Sequence, residues 1–356
     1  MNDSAVATLA KVKPLCPLFE QCGGCRYQDI PYEKELRVKE TYLKKLFAYY
    51  LRAEPSLFEP IVASPLEYGY RNRLDLTLRR IKTGECFMGF MPEGRHRILP
   101  VDFCAIARKE ISDYLPFLRE EAVRKLPSDY RIANLVVRTG DDGRLYWGGI
   151  GRKSLKQKEN DYLWTEPLGK RIFYSLDTFF QSNLSVLPLL LETIERFSGL
   201  DSETLFADLY AGVGLFGIFF SGKTAKTVLV EESESSVRLA YFNLTWHWAK
   251  NAEIRLGKVE SELGSLTNLP GFKKRIAIID PPRSGLSADV CNALSSATGF
   301  STLMYLSCSP KTLIRDLRTF VLKGWKILRV IPFDFFPKTR HLETLVFLSP
   351  PSSDGQ

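Results

Sequence analysis

Apolar positions along the chain fall into three successive patterns. Residues 32–51 place Leu36, Leu43, Phe47 and Tyr50 on one face at spacings of 7, 4 and 3, which predicts a helix. From about residue 68 to 175 the period shortens to two. In RNRLDLTLRR, Leu74, Leu76 and Leu78 line one face and Arg73, Asp75, Thr77 and Arg79 the other, the alternation of a half-buried strand. NLVVRT and GRLYWGGI, joined through Gly140, Asp141, Asp142 and Gly143, predict a hairpin. Beyond residue 200, short apolar runs recur between helix-length segments: TLFADLY (204–210), TVLVE (227–231), EIRL (253–256), RIAIID (275–280), TLMYLS (302–307), KILRVI (326–331) and ETLVFL (343–348). Near-continuous runs of this kind are the strands of a parallel sheet covered on both faces. The last follows its predecessor after a short loop, which predicts an antiparallel edge. The expected fold class is α/β, with a β-rich region over 1–175 and the sheet over 176–356.

Composition changes this picture little. The 356 residues are 45% hydrophobic and 25% charged, enough apolar material for about two domains with sizeable cores and too much for a disordered chain. No apolar run reaches membrane-spanning length, and MNDSAVATLAKVKP lacks a signal-peptide core, so a cytoplasmic protein is expected. The net charge of +8 suits an anionic partner. Residues 1–170 hold 29 basic and 23 acidic side chains, a net of +6, so a polyanion contact is expected there if anywhere. An arginine-rich strand face fits phosphates, and fits a sheet's wet face equally well. Three of the seven cysteines crowd into residues 16–25, which in a cytosolic chain points to metal before disulfide.

Candidate chemistry collects at strand ends. ADLYAGVGLFGI sets Asp208 near the end of one strand, followed by Gly212, Gly214 and Gly217 where doubly wound sheets bind nucleotides. The next strand ends in Glu231, placed to accept hydrogen bonds from two ribose hydroxyls. With no G-x-G-x-x-G present, S-adenosylmethionine is preferred to a dinucleotide. RIAIIDPPRSGL ends at Asp280 with Arg283 beyond it, and TLMYLSCSP ends at Cys308, a candidate nucleophile flanked by Ser307 and Ser309. His341 and Glu343, two apart before the last strand, share a face.

In this ordered set, FFQSN (179–183), DLYAGVG, VEES with Asn243 downstream, DPPRSG, SCSP and HLET, the chain resembles the RNA uracil-5-methyltransferases, the bacterial 23S rRNA and tRNA 5-methyluridine family. The resemblance covers nearly the whole chain. It implies a Rossmann-like class I methyltransferase sheet after an N-terminal β-rich RNA-binding domain. It further implies methylation of carbon 5 of a uridine, with 23S rRNA the first substrate and tRNA the alternative, by a monomer. Cys308 would add to carbon 6 and Glu343 would remove the carbon-5 proton. Asp280, Arg283 and Gln181 would hold the base, while Gln181, Asp208, Tyr210, Gly212, Glu231 and Asp280 would hold S-adenosylmethionine. His341 orients the base or packs. Cys16, Cys22 and Cys25 supply three thiolates and the resemblance makes Cys104 the fourth; four thiolates suit zinc or an iron–sulfur cube, spacing alone favours zinc, and the resemblance tips the choice to [4Fe-4S]. Cys86 and Cys291 are left as packing residues.

Departures from the family pattern are also visible. The cysteines begin at residue 16, leaving no room for the N-terminal TRAM barrel many relatives carry. Ser309 replaces a frequent asparagine and Ala211 a frequent cysteine, neither of them a reacting group. An amino-group methyltransferase would need an aromatic where Arg283 stands. A non-catalytic iron–sulfur RNA-binding protein would leave Cys308 and Glu343 unexplained.

Overall fold

The computed structural model describes residues 11–92, 97–125, 130–150, 161–297 and 299–351. The first ten residues and the end of the polar tail therefore lie outside the described residues. The chain divides into two units: Met1–Glu35, Ser64–Ser185 and Phe336–Arg340 form one, and Leu36–Ala63, Val186–Phe335 and His341–Gln356 the other. The observed crossing at Ser185/Val186 lies ten residues beyond the expected boundary, and the segments 36–63 and 336–340 depart from a single boundary altogether. Periodicity identifies an element but not which of two cores its apolar face joins.

Helix α1 (Tyr32–Leu51) has the limits the spacing predicts. The first unit is built on an antiparallel sheet ordered β3-β2-β1-β4-β5, comprising β1 (Arg73–Arg80), β2 (Cys86–Phe90), β3 (Leu99–Pro100), β4 (Ile132–Thr139) and β5 (Leu145–Ile150). The alternation of β1 is realised, with Leu74, Leu76 and Leu78 buried. The hairpin expected at Gly140–Gly143 joins β4 to β5, pairing Thr139 with Leu145. Helix α2 (Lys109–Lys125) lies within the region expected to be β-rich. Its Ile111, Leu115, Leu118 and Ala122, at helical spacing, complete the core with Leu135 and Val137. Pro116 inside it is a breaker by rule, and the buried face overrides it. A short pair, β6 (Leu163–Thr165) and β7 (Ile172–Tyr174), closes the unit.

The second unit alternates strand and helix: α3 (Leu187–Ser198), β8 (Thr204–Leu209), α4 (Leu215–Phe220), β9 (Lys226–Glu231), α5 (Glu234–Trp246), β10 (Ala252–Leu256), α6 (Val259–Thr267), β11 (Lys274–Ile279), α7 (Ala288–Ser296), β12 (Thr302–Ser307), α8 (Pro310–Leu322), β13 (Lys326–Phe333) and β14 (Glu343–Ser349). The sheet order is β10-β9-β8-β11-β12-β14-β13. It reverses direction between β8 and β11, where a doubly wound sheet opens its ligand crevice. Among these seven strands β14 alone runs against the direction of the other six.

The expected antiparallel strand is present, but β14 is not the edge. Its TLVFL run is buried throughout, so it needs a partner on both sides and sits between β12 and β13. The edge is β13, which exposes Lys326 and Leu328 and tolerates Pro332, a residue confined to edges because it lacks an N–H. Residues 58–62 run beside β13 through bridges from Phe58 to Val330 and Val62 to Phe333. Leu43 and Phe47 of α1 join the core around β8, β9, β11 and β12, as does Cys291.

Candidate active site

The carboxyl ends of β8, β9, β11 and β12 carry most of the predicted residues, because parallel strands deliver the residue after their last ladder position to one rim. Asp208 is fully buried in β8, and its Oδ2 accepts the Gly217 N–H at 2.7 Å. Its Oδ1 has no hydrogen-bond partner among the described residues. Burial, with the charges of Asp280 and Glu231 added, holds this carboxyl well above the usual range. Tyr210 follows with a left-handed backbone at φ 63°, a strain of the kind that collects at ligand sites. Gly217 permits the next helix to approach β9, since a Cβ there would meet Leu229 at 2.6 Å. Asn243 donates to the Val213 carbonyl at 3.0 Å and so braces the same turn.

Glu231 ends β9 with its carboxylate already oriented, accepting the N–H groups of Gly212 at 2.9 Å and Ser233 at 2.8 Å. Tyr210 and Glu231 line a cavity of about 690 Å³ with Glu232, Lys258, Pro282 and Arg315. That volume suits a nucleoside-sized ligand. Asp208, Gly212, Asp280, Cys308 and Glu343 are not among its lining residues. The oriented Glu231, the orphaned Asp208 oxygen and the cavity together fit S-adenosylmethionine.

Antiparallel pairing brings the ends of β12 and β14 together. The β12–β14 ladder ends on the pair Ser307 and Thr344, so Cys308 follows that pair on one strand and Glu343 precedes it on the other. Asp280 enters from the adjoining β11, its N–H donating to the Leu209 carbonyl at 3.3 Å. Burial pushes the half-buried Cys308 thiol to about 12, with Glu343 and Asp280 adding to the rise and Arg283 opposing it. Glu343 is raised well above the carboxylate range by burial and then by Asp280, while Asp280 is raised to about 7 by burial. This is a proton-holding group of two carboxyls and a thiol, with Arg283 as the opposing charge. His341 stands two residues before Glu343, partly exposed.

Gln181 belongs to the first unit, where it is buried and its carbonyl receives Asn72 Nδ2 at 3.3 Å. Cys16, Cys22, Cys25 and Cys104 also lie there, on one cavity of about 600 Å³ with Arg71 and Arg340. All four are free thiols, and no group of three or more such side chains stands in metal-ligating geometry among the described residues. Burial pushes Cys25 to about 12, Gln28 opposing and Cys104, Cys22 and Cys16 adding to the rise. Burial likewise raises Cys22 and Cys104, with Arg71 working against it in both. Four thiols on one cavity, Cys104 buried and Cys16, Cys22 and Cys25 half-buried, are a donor set that gains from a cation able to displace their protons.

Two devices escaped sequence reasoning. Asp316, buried on α8, accepts Tyr305 Oη at 2.7 Å and the Leu286 N–H at 2.9 Å. Arg315 donates to the carbonyls of Ser284 at 3.0 Å and Leu286 at 2.9 Å. Together they clamp the turn that follows Arg283. A Cβ on Gly285, at φ 75°, would lie 2.5 Å from Asp316 Oδ2. An acid on the apolar face of PKTLIRDLRTF was the available signal. The second is Arg138, fully buried, which donates to the carbonyls of Ser175 at 2.6 Å, Thr178 at 2.8 Å and Phe180 at 3.3 Å. It fixes the approach to Gln181, and nothing in NLVVRT distinguishes it from a wet-face arginine.

Residues 156–350 match the family model described as tRNA (Uracil-5-)-methyltransferase. An uncharacterized RNA methyltransferase of Thermotoga maritima is 30% identical, over 95% of this chain and 85% of that protein. A tRNA (uracil(54)-C(5))-methyltransferase of Schizosaccharomyces pombe is also 30% identical, over 94% of this chain, which spans 65% of the yeast protein's length. Among solved structures, the Pyrococcus abyssi tRNA (uracil-54, C5)-methyltransferase bound to S-adenosyl-L-homocysteine matches with a TM-score of 0.68 at 22% identity, covering 93% of this chain and 86% of that one. At that identity the likeness speaks to fold, and it extends the class I methyltransferase reading of the sheet. With the family model covering more than half of its length, the chain belongs to the RNA uracil-5-methyltransferase family of enzymes.

Proposed function

We propose that this protein methylates carbon 5 of a uridine in structured RNA, with Cys308 as nucleophile and Glu343 as the base that completes the reaction. The observation that supports this reading is that Cys308 and Glu343 flank the last pair of the β12–β14 ladder, Ser307 with Thr344, near enough for the Glu343 charge to raise the Cys308 thiol. Carbon 5 of uracil is a weak nucleophile until a thiolate adds to carbon 6 and turns the ring into an enolate. When bound, S-adenosylmethionine supplies the methyl group that carbon 5 takes. Glu343 then removes the carbon-5 proton, the carbon 5–carbon 6 double bond re-forms, and the Cys308 thiolate leaves with the electron pair of the carbon–sulfur bond. Only the ionised form of Glu343 can take that proton; Arg283 favours that form, and burial makes the carboxylate a strong base once formed. Arg283 favours the thiolate form of Cys308, and it and Asp280 are proposed to hold the uracil edge. Asp208, Tyr210, Gly212, Glu231 and Asp280 are proposed cofactor contacts. Gln181 is proposed to contact base and cofactor on the resemblance alone. A paired uridine hides carbon 6, so the base must be flipped out of its stack.

Cys16, Cys22, Cys25 and Cys104 are proposed to hold a [4Fe-4S] cluster, supported by their shared cavity and thiol chemistry. With such a cluster 23S rRNA is the first substrate. The uracil-54 in the names of the yeast and archaeal proteins favours tRNA as the second. In methyl-transfer assays on both RNAs, Cys308→Ala is expected to abolish turnover while retaining cofactor binding. Glu343→Gln is expected to trap an RNA–protein adduct on a denaturing gel. Retained turnover in the first variant refutes the covalent route. For the metal, anaerobically purified protein is expected to be brown and to lose its colour with its iron. Colourless protein with stoichiometric zinc refutes the cluster.

A further inference from the structure

The outer face of α1 carries a row of exposed side chains. Arg37, Thr41, Lys45 and Tyr49 succeed one another at four-residue spacing, all exposed, while Leu43 and Phe47 on the opposite face are fully buried in the core. The row is thus a rigid ridge, anchored by its apolar side. Two other cations of the same helix are neutralised: Lys39 pairs with Asp334 at 2.8 Å and Lys44 with Glu40 at 2.9 Å. Arg37 and Lys45 have no acidic partner among the described residues, and neither has Arg52, just past the helix end.

The end of the ridge is built against local preference. Arg52 takes a left-handed backbone, φ 52°, at a helix terminus where glycine is usual. Tyr49 is 79% exposed and Tyr50 48%, their rings 4.7 Å apart at 81°. From Arg37 to Arg52 the three cations span about 22 Å of helix, at 1.5 Å per residue. Unpaired cations in a row ending at solvent-facing rings are the two elements with which proteins grip nucleic acid: charge along the phosphates and a platform for an unstacked base.

We infer that this face of α1 is an RNA-docking ridge, with Arg37, Lys45 and Arg52 on the phosphate backbone and Tyr49 under an unpaired base. The inference rests on RNA being the substrate and names a surface through which it is held. None of these four residues belongs to the reacting group, so their exposed substitutions leave the fold and the chemistry intact.

The test measures binding of an unmodified tRNA transcript and of a blunt duplex RNA at several salt concentrations, with methyl transfer followed in parallel. For Arg37→Gln/Lys45→Gln/Arg52→Gln the slope of log Kd against log salt is expected to fall by roughly 2–3, with Kd for both RNAs up roughly tenfold. Tyr49→Ala is expected to weaken the looped RNA by roughly fivefold or more and to leave the duplex unchanged. Unchanged affinity and slope in the triple variant overturn the inference, as happens if this face docks a protein instead. If wild-type enzyme binds RNA but methylates neither rRNA nor tRNA, the proposed reaction fails, and the salt slope still decides the ridge.

Discussion

Asp280 illustrates what one residue's surroundings do to its chemistry. Its carboxyl is raised from 3.8 to about 7 by burial, so between those values the folded protein holds a proton that the unfolded chain has released. Stability from this group is therefore lost as pH rises through that window, the opposite of a salt-bridged aspartate. Glu343, raised by burial and by Asp280, acts in the same direction. For ligand-free protein, Asp280→Asn is expected to raise the melting temperature at pH 8 and to leave it nearly unchanged at pH 4. An equal effect at both pH values refutes this account. The sequence showed that Asp280, Cys308 and Glu343 stand at strand ends. It did not show that burial makes all three hold protons, because burial depends on neighbours distant along the chain.

At the level of elements, α1 and β14 show what periodicity resolves and where it stops. The limits of α1 were legible because four apolar residues repeat at helical spacing. Its buried lysine was not. Lys39 Nζ meets Asp334 Oδ1 at 2.8 Å, both side chains fully buried, across 295 residues of sequence. Removing one partner leaves a buried charge. Lys39→Met is thus expected to destabilise the protein by about 3–5 kcal/mol, measured by denaturant unfolding, and Lys39→Met/Asp334→Leu to recover much of that loss. A loss in the double variant as large as in the single would show that the cost is packing. The place of β14 was hidden for a related reason. A continuous apolar strand must be paired on both sides, but only the choice of neighbours, made in three dimensions, says that β13 is displaced to the edge. The helix α2, with four core residues at regular spacing, was legible and was masked by Pro116.

At the scale of the whole molecule, the two units are each discontinuous in sequence. A fragment beginning at residue 176 would lack Leu43 and Phe47, which belong to the second unit's own core. Motif order along the chain identified the family although the sheet reorders the strands whose ends carry most of the motifs. It could not reveal that residues 336–340 belong with the first unit, since FPKTR carries no pattern of its own.

That five-residue segment has a consequence for how the protein is made. Lys338 accepts the N–H groups of Arg26 at 2.7 Å and Tyr27 at 3.0 Å through its carbonyl, and its ammonium pairs with Glu67 at 2.8 Å. Tyr70 Oη donates to the Pro337 carbonyl at 2.9 Å, and Arg340 borders the thiol cavity. On the ribosome, residues 26–70 must therefore wait for residue 340 of 356 before their contacts are complete. Where domain-by-domain folding from the N-terminus is the common course, the first unit here is completed by a segment made after most of the second. The cavity that holds Cys16, Cys22, Cys25 and Cys104 is therefore completed only once Arg340 has been made.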